Sequence, residues 1–419
     1  WAKRSTPSAN HKILTRYSSV DNRFYIGWAN NDKLYIYQKV GGTESFNLQT
    51  TRLFRDPSAW YHIVVAYDTT QSTEANRIKL YVNGTQETSF SNTSYPSQNL
   101  DLYYQTATSV VAYIGQYTSS QYYDGYFSDM HLIDGQQLDS SYFGETNDNG
   151  VWIPKKYTGT YGDEGFKLEF KQTGTGTNSS GMGADTSGND NHWAPSNLAS
   201  TDVTEDTPTN NFATFNSANL FNSPVLSEGN VQFDSNSSSG SSVVTTIAPS
   251  NGKWYAEAKI APAASAGAVV AVSVGVSEVG KEAFNIKGQG ASRPNVGYNY
   301  GDNINTNVEI DGSLIDTESQ YRAGDIVGIA LNLDDGEVTF YLNGTAINSG
   351  TAYNLHTNST HENTGFSVQT HTSSGNQIVS FNFGNPAFSI SSGNADANGY
   401  GNFEYTVPSG YYALCTKNL

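Results

Sequence analysis

The sequence predicts an all-β protein made of two β-sandwich domains in series, joined by a linker rich in Gly, Ser, Thr and Asn. Three observations predict it. Composition is the first: the 419 residues include 40 Gly and 28 Tyr but only 2 Met, and runs of Ala, Leu, Glu or Lys are few, which disfavours helices and favours short strands joined by turns. The second is a succession of short alternating runs separated by turn residues. The third is a local rule that occurs twice, as Arg77-Ile-Lys-Leu-Tyr-Val-Asn-Gly-Thr-Gln86 and as Val338-Thr-Phe-Tyr-Leu-Asn-Gly-Thr-Ala-Ile347. Each reads as a hairpin, because Asn-Gly supplies the two positive-φ residues of a type I′ turn. The two copies stand in separate domains and are too far apart for a solenoid period.

Apolar residues make up 37% of the chain and aromatics 13%, so Tyr and Phe must carry much of each core, as sandwich interiors allow. The formal charge of -17 argues against nucleic acid, since a phosphate-binding surface needs Lys and Arg in excess. That charge is uneven, with 14 Lys+Arg against 17 Asp+Glu up to Phe170 and 8 against 22 beyond it. A solvated acidic surface that keeps a crowded assembly soluble accounts for it. The single cysteine, Cys415, excludes an intrachain disulfide and a cysteine-based zinc cluster, and reads as a small buried apolar residue. No run approaches the roughly 20 apolar residues of a membrane span.

In the first domain, residues 1–172, the alternating runs are Phe24-Tyr-Ile-Gly-Trp28, Lys33-Leu-Tyr-Ile-Tyr37, Trp60-Tyr-His-Ile-Val-Val-Ala-Tyr67, Ile78-Lys-Leu-Tyr-Val82, Val110-Val-Ala-Tyr-Ile114 and Tyr126-Phe-Ser-Asp-Met-His-Leu-Ile133. The run from Trp60 to Tyr67 is the densest in apolar residues and reads as a central strand covered on both faces. Phe166 to Phe170 alternates as a closing strand.

Trp60-x-His62-Ile-Val-Val-x-Tyr67-Asp68, Leu80-Tyr-Val-Asn-Gly84, Tyr113-Ile-Gly115 and Gly125-x-Phe127-Ser-Asp-Met-x-Leu-Ile-Asp134-Gly135 together resemble the laminin-G and concanavalin-like lectin superfamily, whose members are jelly-roll sandwiches. Trp1-Ala-Lys-Arg4 is similar to the second strand of that pattern, which implies that a strand precedes Trp1. Asp185-Thr-Ser-Gly-Asn-Asp-Asn-His-Trp193 and Asp206-Thr-Pro-Thr-Asn-Asn-Phe-Ala-Thr214, within a linker at residues 173–217, resemble linker motifs of marine tailed-bacteriophage structural proteins, cyanophage-like ones included. Trp193, Phe212 and Phe215 make it an ordered linker.

The second domain spans residues 218–388. Lys253-Trp-Tyr-Ala-Glu-Ala-Lys-Ile260 alternates as a half-buried strand, and the apolar run from Val269 to Val276 suits a covered one. Tyr321-x-x-Gly-Asp-Ile-Val-Gly-Ile-x-Leu-x-Leu333, Phe340-x-x-Asn-Gly344 and Phe381-Asn-Phe-Gly-x-Pro-x-Phe388 resemble the SPRY domain, another β-sandwich with binding loops at one end. Residues 389–419 are a C-terminal extension similar to the region that follows SPRY-like domains in those phage proteins, which implies a continuation beyond Leu419.

Glycan hydrolases need two acids in one cleft, which makes carboxylate pairs the first catalytic candidates. Glu309-Ile-Asp311 places two carboxylates on one strand face, but Gly312 follows at once, and an Asp-Gly turn beside a solvated Glu explains it. His356, His361 and His371, with Glu362, stand in turn-like sequence without ligand spacing. His62 and His131 lie on strands and read as structural. No nucleophile setting or phosphate cradle is present, so the chain reads as non-enzymatic.

The laminin-G resemblance implies calcium as a candidate cofactor, for which Asp21, Asn22, Asn30, Asn31 and Asp32 have the right chemistry. The candidate ligand-binding residues are Tyr103, Tyr104, Tyr117, Tyr122 and Tyr123, in or beside polar loops of the first domain. Large aromatic faces with a polar tip suit stacking on sugar rings; filling the sandwich or a subunit interface is the structural alternative. Together these features imply a virion structural protein at the particle surface, a tail-fibre or spike component that binds host cell-surface glycans and other virion proteins. It would act as a homo-oligomer, trimeric as fibres commonly are, without nucleic acid or membrane. A capsid decoration or fibre protein that binds only virion subunits, and a polysaccharide depolymerase, are the alternatives.

Overall fold

The computed structural model describes residues 1–119, 121–235, 240–261, 272–279, 296–300, 306–310, 313–318, 321–355, 363–370 and 377–419. The protein is nearly all β, and its chain divides into two compact units, Trp1–Val203 and Thr204–Leu419.

The strands that build the first unit begin with β1 (Ala2–Arg4), β2 (His11–Ser19), β3 (Asn22–Trp28), β4 (Lys33–Val40), β5 (Thr43–Leu53), β6 (Trp60–Tyr61) and β7 (Ile63–Tyr67). They continue with β8 (Ile78–Val82), β9 (Thr85–Glu87), β10 (Phe90–Ser94), β11 (Ala112–Ile114), β12 (Gln116–Thr118) and β13 (Gln121–Tyr122). A six-stranded sheet runs in the order β10-β5-β4-β3-β2-β11. Its inner face carries Phe24, Trp28, Leu34, Ile36, Phe46 and Leu48, which share one core with Ile78, Leu80 and Val82 of the sheet β7-β8-β9. Because side chains alternate across a strand, the residues between them turn to the opposite face. Tyr25 pairs with Tyr37, Gly27 with Tyr35 and Arg23 with Lys39, which puts all of them on the outer face of the six-stranded sheet.

The run from Trp60 to Tyr67 is not one central strand. It breaks at His62, with β6 pairing to β1 and β7 forming the edge of β7-β8-β9. The cause lies in the Asn-Gly hairpin: Asn83 Oδ1 accepts the His62 backbone N–H at 2.8 Å and Asn83 N donates to the His62 carbonyl at 2.9 Å, closing the ladder there.

The expected boundaries at residues 172, 217 and 388 do not coincide with the two units. Asp185 accepts the backbone N–H groups of Lys167, Ser187 and Asn191, and Trp193 packs edge-on against Phe166 at 5.3 Å. The first half of the expected linker is therefore fastened into the first unit. Phe212 and Phe215, at 1% and 0% exposure, belong to the cores of the second.

In the second unit a nine-stranded and a six-stranded sheet enclose one core, with Trp254, Ile329, Phe340 and Phe381 on one side and Val274, Tyr298, Phe366 and Val368 on the other. Lys253–Ile260 is covered on both faces rather than half-buried. Its second face, Tyr255 and Glu257, is closed by the C-terminal residues. Tyr412–Ala413 pairs parallel with Trp254–Tyr255, Phe403 and Cys415 are fully buried, and Glu257 accepts the N–H groups of Glu404 and Tyr405 at 2.9 and 2.8 Å. Residues 389–419 thus complete the fold of this unit. Among the described residues, no helix is long and apolar enough to cross a membrane.

Candidate functional site

The outer face of the six-stranded sheet in the first unit gathers aromatic rings around two cations. Tyr25 and Tyr37, on neighbouring strands, stack at 4.9 Å with 11° between their planes. Tyr35 meets Tyr25 edge-on at 4.9 Å, and Tyr117, carried over the sheet by the β12-β13 hairpin, meets Tyr25 at 5.4 Å and Tyr17 at 5.0 Å. Lys12 lies among them, its Nζ 4.6 Å from the Tyr35 ring centroid, 5.0 Å from that of Tyr25 and 5.5 Å from that of Tyr117. Lys12 Nζ also donates to the Tyr35 hydroxyl at 2.5 Å. Gly27 makes this crossing feasible, for a Cβ there would stand 2.2 Å from the His11 carbonyl oxygen. Arg23 covers the Tyr37 ring at 5.2 Å.

Electrostatics mark the cluster as unusual. Lys12 is 4% exposed, and burial, reinforced by the charge of Arg23, lowers its pKa to about 7. Burial pushes the Tyr35 hydroxyl up to about 12 and raises Tyr25 as well. The hydroxyls therefore remain donors at neutral pH. Tyr17, Tyr35 and Tyr117 are half-buried, so each keeps part of its surface at the solvent over the sheet. Such a surface can stack on a sugar ring and hydrogen-bond its hydroxyls.

Of the five tyrosines singled out in the sequence, only Tyr117 joins this platform. Tyr123 turns inward, contacting Phe127 at 4.2 Å and Trp28 at 6.1 Å and donating its hydroxyl to the Lys3 carbonyl at 3.0 Å. Tyr104 packs on Phe24 at 5.7 Å beneath Arg16, and burial pushes its hydroxyl up to about 12. Tyr103, on a short helical turn, is held by Ser18 at 2.8 Å and by its backbone bond to Gln38 Oε1. Tyr122 is 55% exposed, with its hydroxyl bonded to the Ser119 carbonyl.

The calcium candidates are not brought together. Asp21 and Asn22 stand at the β2-β3 turn and Asp32 at the β3-β4 turn, with the length of β3 between, on the order of 20 Å. Asp32 is 2% exposed, and its oxygens accept from Arg4 at 3.1 Å, Arg55 at 3.1 Å and the Ser8 N–H at 2.5 Å, leaving no room for a cation. Asp21 pairs with Lys39 at 3.0 Å, and Asn22 accepts the Gly41 N–H. Asn30 and Asn31 are both exposed, and Asn31 accepts the Lys33 N–H. Among the described residues, no three His, Cys, Asp or Glu side chains cluster as a metal site. His356, His361, His371, Glu362 and Asp311 lie outside the described residues. Glu309 is 5% exposed rather than solvated, since its strand Thr306–Ile310 is flanked by strands on both sides.

His62, buried, and His131, half-buried, both lie in aromatic stacks. His62 Nδ1 accepts from Trp152 Nε1 at 3.0 Å, and the His131 and Tyr161 rings lie 5.9 Å apart with 11° between their planes. Sequence reasoning passed over Tyr17, Tyr25, Tyr35, Tyr37, Lys12 and Arg23. The signal was present in Phe24-Tyr-Ile-Gly-Trp28 and Lys33-Leu-Tyr-Ile-Tyr37, where each Tyr alternates with a core residue and must face away from the core.

Residues 1–140 match the laminin-G-type model of the Concanavalin A-like lectin/glucanases superfamily, so the first unit carries a lectin-like domain of that kind over about a third of the chain. Among solved structures, the chain is similar to the SPRY domain of human HERC1, with 15% identity and a TM-score of 0.33 over 40% of this chain and 96% of that one. Stonustoxin gives 15% identity and a TM-score of 0.29 over 41% of this chain and 27% of its own. The TRIM65 PSpry domain gives 15% and 0.30 over 40% and 89%. At these values the likenesses decide neither fold nor function. No curated protein matches the chain.

Proposed function

We propose that this protein is a non-enzymatic structural component of a virion, part of a tail fibre or spike, whose first unit holds host cell-surface glycans on the tyrosine platform. The carrying observation is the platform itself: the half-buried rings of Tyr17, Tyr35 and Tyr117 on the outer face of a sheet, backed by the buried rings of Tyr25 and Tyr37. The lectin-like match over residues 1–140 supports a sugar as the occupant, although fold alone does not specify a ligand. The virion context rests on the likeness of Asp185–Trp193 and Asp206–Thr214 to phage linker motifs, and in it the chain works as a homo-oligomer beside other virion proteins. Purified protein should bind host cells saturably and leave their glycans intact. Glycan degradation would point instead to a depolymerase, and stoichiometric capsid binding without host binding to a decoration protein.

A further inference from the structure

We infer that the platform takes an anionic sugar, whose carboxylate or sulfate is met by Arg23 and Lys12 while its ring stacks on Tyr35 and Tyr117. This rests on the glycan reading above and narrows it to one ligand class.

Unpaired charge carries the inference. Among the described residues no carboxylate lies within ion-pair distance of Lys12 or Arg23. The same unit shows what a purely structural buried cation looks like: Arg4, 1% exposed, has Asp32 at 3.1 Å and three backbone carbonyls as acceptors. On the outer face, Lys39 has Asp21 at 3.0 Å. Lys12 instead has a hydroxyl, the Trp28 carbonyl at 3.5 Å and three rings.

A buried cation without a counter-charge is costly, and an incoming anion removes that cost. Arg23 suits the role because its planar guanidinium can meet a carboxylate or sulfate with two parallel bonds, and its Nε has no hydrogen-bond partner among the described residues. The net charge of -17 repels polyanions from the molecule as a whole. Binding of one by this chain would therefore report a local site rather than a general attraction.

The test is titration of the full chain with a uronate polymer, a sulfated dextran and plain dextran, at two salt concentrations. The expected result is binding to one or both anionic polymers, weakened by salt, with none to dextran. Arg23→Gln and Lys12→Met should each weaken it about tenfold or more. A preference for the uronate identifies a carboxylate ligand, and the reverse a sulfate. Since Lys12→Met removes a buried contact, its melting temperature is measured alongside, and the less buried Arg23→Gln keeps the test decisive if Lys12→Met unfolds. Equal binding of dextran, or anion binding that Arg23→Gln leaves unchanged, overturns the inference and spares the glycan reading. Binding to no polymer, and none to host cells, overturns both.

Discussion

The two units solve one problem with different sets of buried charges. Each must bury polar groups inside a sandwich. The first does so with cations and neutral histidines: Arg4 and Lys12 are at 1% and 4% exposure, His11 and His62 at 3% and 4%. Their partners are rings, hydroxyls, carbonyls and Asp32. The first unit also buries Asp185, at 6%, which accepts three backbone N–H groups; the second unit buries no Lys or Arg among the described residues and relies on carboxylates alone. Glu257, at 0% exposure, accepts two backbone N–H groups and Asn382 Nδ2, and Asp396, at 6%, accepts the N–H groups of Asn398, Tyr400 and Ala413. Irregular chain that closes a sandwich exposes N–H groups a sheet cannot pair, and a carboxylate takes up several at once. Tyrosine-rich strands present ring faces and hydroxyls, which suit cations. The choice of buried charge thus follows from what covers each sheet.

Acid should break this symmetry first and most. Burial lowers His11 to about 4 and His62 and His131 to about 3. A depressed folded pKa gives stability that is complete above the unfolded value near 6.5 and is lost as pH falls through the folded values. Burial raises Glu257, so its contribution has the other sign: it is complete below the unfolded carboxyl value and declines as pH rises through the folded one. Hydrogen exchange at pH 4 should therefore find the first unit opened and the second still protected. Equal loss in both would refute the contrast.

Core substitutions come next. Tyr123→Ala should cost about 3 kcal/mol, the low end for an aromatic, since its ring packs on the core while only partly buried, and Tyr122→Ala less than about 0.5 kcal/mol, by thermal denaturation. The two Asn-Gly hairpins then test independence. Gly84 at φ 83° faces Trp152, 2.7 Å from where a Cβ would stand, and Gly344 at φ 79° faces Tyr405 at 2.5 Å. Gly84→Val and Gly344→Val should each cost roughly 2–4 kcal/mol, read as lost protection confined to their own units. A smaller effect is expected from Glu257→Gln. Its amide cannot accept from all the donors it faces, so about 1–3 kcal/mol should be lost, with faster exchange at Glu404 and Tyr405.

The sandwich class and both hairpins were legible because their signals are local. Asn83 and Asn343 have φ of 48° and 49°, and each accepts a backbone N–H at the start of the strand paired with its own hairpin, His62, just before β7, at 2.8 Å and Ile326 at 3.0 Å. The closure of the second unit was not legible, since Glu257 meets Glu404 only after 147 residues. The outer-face tyrosines went unread for a different reason. Tyr103, Tyr104 and Tyr123 stand near polar loops in sequence, yet a helical turn and the adjoining sheet direct them inward. The outward tyrosines sat in plain alternation on strands that had been read only for their core residues.

Binding by the double variant Tyr35→Ala and Tyr117→Ala tests the platform most directly. Saturable binding of the full chain to host cells should weaken by about tenfold or more, as loss of aromatic anchors does, while hydrogen exchange shows the core strands still protected. Unchanged binding by this folded variant would contradict the assignment of the site to the outer face of the sheet.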